Sequence, residues 1–118
     1  MFYVAIIGCD GADSYETFSK KCIFFLRERA KEGITILATG EHEYIKRFTY
    51  EYRINVQYFY TDWKAYGRDA LKERNKELIS SCNGIISFND GRKDTDMIVS
   101  MARKAGVPTR VIKKDAPK

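Results

Sequence analysis

The sequence predicts an α/β domain of Rossmann-like, three-layer α/β/α architecture, with a parallel sheet of about five strands between two helical layers. Apolar runs of strand length alternate with segments of helical periodicity along the whole chain. The first run, Tyr3–Ile7, is apolar throughout and is closed by Gly8, as expected of a strand covered by helices on both faces. A chain of 118 residues has the length of one domain with one ordinary core, so residues 1–118 are read as a single unit.

The elements follow in order. Asp13 with Glu16 three residues later resembles a capping box. It opens a helix that carries Phe18, Cys22, Phe25, Leu26 and Ala30 on one face until Gly33 stops it. Ile34–Ala38 is the second strand. From Glu41 to Arg53 two periods compete: Tyr44, Ile45, Phe48 and Tyr52 fit a helix, whereas Phe48, Tyr50, Tyr52 and Ile54 alternate as in a strand. Helix is chosen, because Val56–Tyr60 already supplies a third strand of full length. The residues from Thr61 to Gly67 read as a loop. A helix from about Asp69 then presents Leu71, Leu78, Ile79 and Cys82 and ends at Asn83-Gly84. Ile85–Phe88 is the fourth strand. A last helix, near Thr95 to Ala105 with Asp94 or Thr95 as N-cap, presents Met97, Ile98, Met101 and Ala102. Gly106 and Pro108 break it before a fifth strand, Arg110–Ile112, expected at the sheet edge.

Composition narrows the function classes. Hydrophobic residues at 44% and charged residues at 31% suit a soluble protein, and no apolar run approaches a bilayer span. No membrane partner is expected. The first residues lack the basic region of a signal peptide. Three cysteines, Cys9, Cys22 and Cys82, provide neither a disulfide framework nor a metal-binding pair, which predicts a reducing, cytoplasmic setting. The net charge of +5 lies entirely in residues 103–118, because residues 1–102 carry 15 charges of each sign. The domain body is therefore no basic nucleic-acid surface, and residues 113–118 read as a basic, mobile C-terminal tail.

In a sheet of this kind ligands bind beyond the carboxyl ends of the strands, where the strand order reverses. Gly8-Cys9-Asp10-Gly11 follows the first strand at a helix N-terminus, where backbone N–H groups favour an anion, although Asp10 and Asp13 oppose one. Cys9 is the one cysteine placed to act as a nucleophile, but no base is evident. Gly40 belongs to the loop after the second strand. After the third strand, Trp63 and Tyr66 offer faces for a base, Asp62 an acceptor for ribose hydroxyls, and Arg74 a fork for phosphate. Trp63 could equally cap the core. Asn75 shares the apolar helix face of Leu71 and Leu78, and a buried amide needs partners. Asn89, Asp90, Gly91, Asp94 and Thr95 follow the fourth strand. No spacing marks a metal site, and no cofactor is implied. His42, the only histidine, is expected in an exposed loop or a first helical turn.

At these residues the chain resembles a family. Asp62-Trp63-Lys64-x-Tyr66-Gly67-Arg68-x-Ala70, then Arg74-Asn75-x-x-Leu78, Ile86-x-Phe88-x-Asp90-Gly91 and Thr95-x-Met97 are similar to the YspA-like branch of the SLOG superfamily. That superfamily includes the cytokinin-activating phosphoribohydrolases and the DNA-processing protein A. The resemblance implies a Rossmann-like domain with a pocket for a nucleotide or nucleotide-derived signal. It places Asp62, Trp63, Gly67, Arg74, Asn75, Asp90, Gly91 and Thr95 around that pocket. The chain departs from the pattern in two phosphate-facing loops, with Cys9-Asp10 in place of Ser-Arg and Thr39-Gly40-Glu41-His42-Glu43 in place of a glycine-rich string.

Three functions follow as expectations. The first is a nucleotide-ligand binding domain acting as a sensor or accessory protein. The second is a small nucleotide N-glycoside hydrolase or transferase using Asp62 and Asp90 as its carboxylate pair. The third is a nucleic-acid accessory that binds through the basic tail. The sequence leaves open both turnover and assembly into a homo-oligomer.

Overall fold

The computed structural model describes residues 1–113, and the tail residues 114–118 lie outside them. Five strands, β1 (Phe2–Ile7), β2 (Ile34–Ala38), β3 (Asn55–Tyr58), β4 (Gly84–Phe88) and β5 (Thr109–Ile112), form one all-parallel sheet in the order β3-β2-β1-β4-β5. The helices are α1 (Tyr15–Leu26), α2 (Glu43–Tyr52), α3 (Trp63–Tyr66), α4 (Ala70–Ser81) and α5 (Lys93–Lys104). The predicted α/β class, the helical reading of 41–53 and the edge position of the fifth strand all hold.

Alternation along the buried strands builds two cores. Val4, Ile6, Ile36, Ala38, Ile86 and Phe88 face α1 and α2, where Phe18, Cys22, Leu26, Ile45 and Phe48 fill the layer. Ala5, Ile7, Leu37 and Ile85 face α4 and α5, against Leu78, Ile79, Ile98, Val99 and Ala102. Phe18 is wholly buried and packs against Phe88 at 5.2 Å and Phe48 at 5.9 Å between ring centroids. The chain crosses from one face to the other between β3 and β4. The strand order therefore reverses between β1 and β4, and the loops after these two strands diverge around a cleft.

Several boundaries differ from expectation for local reasons. The cap of α1 is Ser14, not Asp13: Ser14 is extended and its hydroxyl accepts the Thr17 N–H at 3.2 Å. After Leu26 the chain tightens into a 3-10 helix, Arg27–Glu32, which turns Ala30 out to solvent before Gly33, at φ +80°, ends it. The third strand stops at Tyr58, and the expected 61–67 loop contains the single turn α3 followed by a 3-10 turn, Gly67–Asp69. The N-cap of α5 is Arg92, whose side chain makes no capping bond, and Asp94 and Thr95 lie inside the first turn. Asp90 instead braces the preceding turn against the helix, accepting the Arg92 N–H at 2.9 Å and the Thr95 hydroxyl at 2.8 Å.

Ser14→Ala removes the side chain that accepts the Thr17 N–H at the start of α1 and is expected to cost about 1 kcal/mol, read as a lower urea midpoint with an unchanged slope. Asp13→Ala would change stability less if Ser14 is the cap, so the pair of variants checks the assignment.

Candidate functional site

The cleft at the β1/β4 divergence has a volume of about 340 Å³. Its floor is aliphatic, from Ile6, Ile7, Ile45, Leu71 and Ile98, and its rim carries Asp10, Glu41, His42, Arg74, Arg92 and Asp94. Of the residues expected at the site, Gly8, Cys9, Asp10, Gly40, Arg74, Asp90 and Thr95 line it. Asp62, Trp63, Tyr66, Gly67, Asn75, Asn89 and Gly91 do not line it. Asp62 and Tyr66 line a neighbouring groove along β3.

Two glycines set the back of the cleft. Gly8 has φ +69°, and a Cβ there would stand 2.0 Å from the Phe88 carbonyl oxygen. At Gly11 a Cβ would lie 2.5 Å from the Asn89 carbonyl. The loop after β1 is thus pressed against the backbone leaving β4, and only residues without a side chain permit it. The Gly8-x-x-Gly11 pattern therefore has a packing cause whether or not the loop also holds an anion.

Cys9 sits inside this contact. Burial and the Asp10 charge push its thiol up to about 12, so at neutral pH it is protonated. Its burial, 7% exposed, and the raised thiol both weigh against a nucleophilic role, because the thiolate is the reactive form. Cys22 and Cys82 are free and buried as well, and burial raises both thiols. A disulfide-exchange reagent at pH 8 is expected to titrate essentially no thiol in the folded protein and all three in denaturant; rapid native labelling of Cys9 would contradict its placement.

Electrostatics at the rim come from a network that links three loops. His42 is the N-cap of α2: its Nδ1 accepts the Tyr44 N–H at 3.0 Å, which leaves the ring proton on Nε2, 2.9 Å from Asp10 Oδ1. Arg92 meets the other Asp10 oxygen at 3.1 Å. The His42 hydrogen bond, with the Arg92 charge beside it, holds the exposed Asp10 carboxyl below its ordinary range. Asp10 is thereby hydrogen-bonded on one side and ion-paired on the other, and is less opposed to an anion than its sequence position suggests. Half-buried His42 and exposed Arg92 are site residues that the sequence did not single out, since a pair formed across loops leaves no trace in spacing.

Arg74 differs from the other cations at the rim. It rises from the first turns of α4, half-buried, and burial lowers its pKa below that of a free guanidinium, with Asp94 acting in the opposite sense. Its Nε donates to Asn75 Oδ1 at 3.1 Å and one terminal nitrogen reaches Thr61 Oγ1 at 3.4 Å. Among the described residues no carboxylate forms an ion pair with it. Asn75, 1% exposed, uses its own amide nitrogen on Met97 Sδ at 3.6 Å, so the amide fixes the arginine while buried beside it. The expectation that Asn75 is buried and partnered holds, and its partners are Arg74 and Met97.

Trp63 does not cap the core: it is 58% exposed on α3. The side chain of Asp62 caps that turn, accepting the Ala65 N–H at 3.0 Å. Asp62 and Asp90 line different clefts, so they do not form one carboxylate pair around a shared bond. Among the described residues no group of three or more His, Cys, Asp or Glu is placed to hold a metal ion, and no helix is long and apolar enough to cross a membrane. The basic-tail reading falls mostly on residues outside those described, Lys113 excepted. No family model matches the chain, and no curated protein or solved structure is significantly similar to it.

Proposed function

We infer that the cleft between β1 and β4 binds a nucleotide or a nucleotide-derived anion, and that the protein works as a cytoplasmic sensor or accessory domain. The observation that carries this reading is Arg74: a half-buried cation at the strand-end cleft, oriented by Asn75 and Thr61 and, among the described residues, in no ion pair with a carboxylate. A partly desolvated guanidinium held in place is costly to keep unless an anion completes it, and phosphate matches its planar fork. The position at the topological switch point supports the same ligand class. So does the resemblance of Arg74-Asn75 and Asp90-Gly91 to the SLOG pattern. Binding is favoured over turnover because Asp62 and Asp90, the carboxylates expected to act together, line different spaces, and Cys9 is buried.

A thermal-shift series over nucleoside mono-, di- and triphosphates tests the proposal. A ligand present at about 100 times its dissociation constant stabilises the native state by about 2.7 kcal/mol, which for a domain of this size raises Tm by roughly 10 °C. A flat response across the series would remove the reading.

A further inference from the structure

Beside the cleft lies a second groove of about 710 Å³ at the free edge of β3, lined by Tyr58, Tyr60, Asp62, Tyr66, Arg74 and Lys76 among others. Arg74 is the only described residue that lines both spaces. The two differ in chemistry. The cleft has an aliphatic floor, rim carboxylates at Asp10, Glu41, Asp90 and Asp94, and no ring besides His42. The groove also has carboxylates, Asp62, Glu73 and Glu77, but differs in its rings: it holds three tyrosines and Phe59. Tyr60 and Tyr66 are 65% and 52% exposed, with no part in either core, and Tyr58 stacks on Tyr60 at 5.9 Å. Exposed rings gathered at one groove suit a flat aromatic ligand group, since stacking on a tyrosine face is available to any base. Carboxylates above an aliphatic floor suit the hydroxyls and C–H faces of a sugar.

The order of these features along the surface is aromatic groove, cation, carboxylate-rimmed cleft. A nucleoside diphosphate that carries a second sugar has its parts in the same order: base, phosphates, polyol. We propose that the ligand is of this class and lies across Arg74, with its base in the β3 groove against Tyr60 and Tyr66, its phosphates at the guanidinium, and its terminal sugar in the strand-end cleft. This inference rests on the nucleotide reading of the cleft and places the base outside it. A mononucleotide fills the groove and reaches Arg74 but leaves the cleft empty. Asp94, exposed on the first turn of α5 and facing Arg74, is then a specificity residue for the terminal sugar.

Calorimetric titration with UDP-glucose, UDP and UMP, and with ADP-ribose, ADP and AMP, tests it on the full chain. Within at least one series the sugar-bearing member binds about tenfold more tightly than the parent diphosphate, the size of one or two added hydrogen bonds. Asp94→Asn shrinks that preference without weakening the diphosphate. Tyr66→Ala and Tyr60→Ala, both at exposed positions, weaken every base-containing ligand by about tenfold, as one lost stack requires. Glucose 1-phosphate and ribose 5-phosphate, which have no base, bind the tyrosine variants as they bind the parent. If nucleotides bind and Arg74→Ala abolishes binding, but both tyrosine variants retain full affinity, the base lies elsewhere and this proposal fails while the nucleotide reading stands. Equal affinity for sugar-bearing and plain diphosphates in both series would likewise overturn the assignment of the cleft. No binding by any of the ligands would remove both readings together.

Discussion

Gly8→Ala is expected to destabilise the protein by about 3 kcal/mol or more, lowering Tm by roughly 12 °C for a domain of this length. Two costs combine. The backbone at φ +69° lies in the left-handed region, where a Cβ costs about 1–2 kcal/mol. The new methyl would also stand 2.0 Å from the Phe88 carbonyl oxygen, a backbone atom of a fully buried strand that cannot turn away as a flexible side chain could. The relaxation open to the molecule is to part the β1 and β4 loops, and that deforms the cleft. Gly40→Ala is the matched control: it lies on the same cleft, but nothing stands within 4 Å of a Cβ there and its φ is not positive. Its Tm should stay within about 2 °C of the parent, as for an ordinary surface change. Equal losses at the two positions would show that the Gly8–Phe88 approach is not what makes glycine necessary.

Arg74→Met separates binding from stability. Methionine keeps an unbranched apolar stem in the space between α4 and the β3 end while deleting the charge and the hydrogen bonds to Asn75 and Thr61. The parent guanidinium is partly desolvated and has no ion-pair partner among the described residues, so its loss removes a burial penalty as well as two hydrogen bonds. Stability should change by less than about 1 kcal/mol. Affinity for phosphate-bearing ligands should fall by about 100-fold, the upper range for a charge-assisted contact to an anion. Equilibrium denaturation and calorimetric titration of the same preparation check both halves. Retained affinity would mean that the anion, if bound, sits on Arg92 or on the loop after β1. A stability loss of several kcal/mol would recast Arg74 as a structural residue.

The sequence carried the architecture because each buried strand is written in a period that its helices answer. Ile34–Ala38 was legible to the residue, and the 41–53 ambiguity yielded to the length of the run after it. Helix ends were less legible where two residues compete for one role. Asp13 and Ser14 are both good caps, and backbone geometry chooses between them. At the start of α5 the N-cap is Arg92, whose side chain makes no capping bond, and Asp90 ties the turn before it to the Thr95 hydroxyl.

The site was legible to the extent that topology determines it. The reversal of strand order brought Gly8, Asp10, Gly40, Asp90 and Thr95 to one cleft, and helical spacing placed Asn75 on the buried face of Leu78. Trp63 and Tyr66 both read as faces for a base in one loop after the third strand. A single helical turn where a loop was expected gives them different surroundings, Tyr66 in the groove and Trp63 outside it. Contacts that cross between loops, such as Asp10 with His42 and Arg92, depend on distances that exist only after the sheet has formed.

The seam between β1 and β4 also bears on how the molecule is made. Val4 pairs with Ile36 on one side and with Gly84 on the other, partners 32 and 80 positions along the chain. Closing the longer loop costs about 0.8 kcal/mol more in chain entropy. Contacts so distant in sequence raise the kinetic barrier more than they raise equilibrium stability. A nascent chain that has emerged only as far as β3 already holds the partners of three strands, yet it has neither the far wall of the cleft nor Arg74. Ligand added during refolding should therefore leave the rate of folding unchanged and slow only unfolding, because the site it recognises is completed by the most sequence-distant pairing in the sheet.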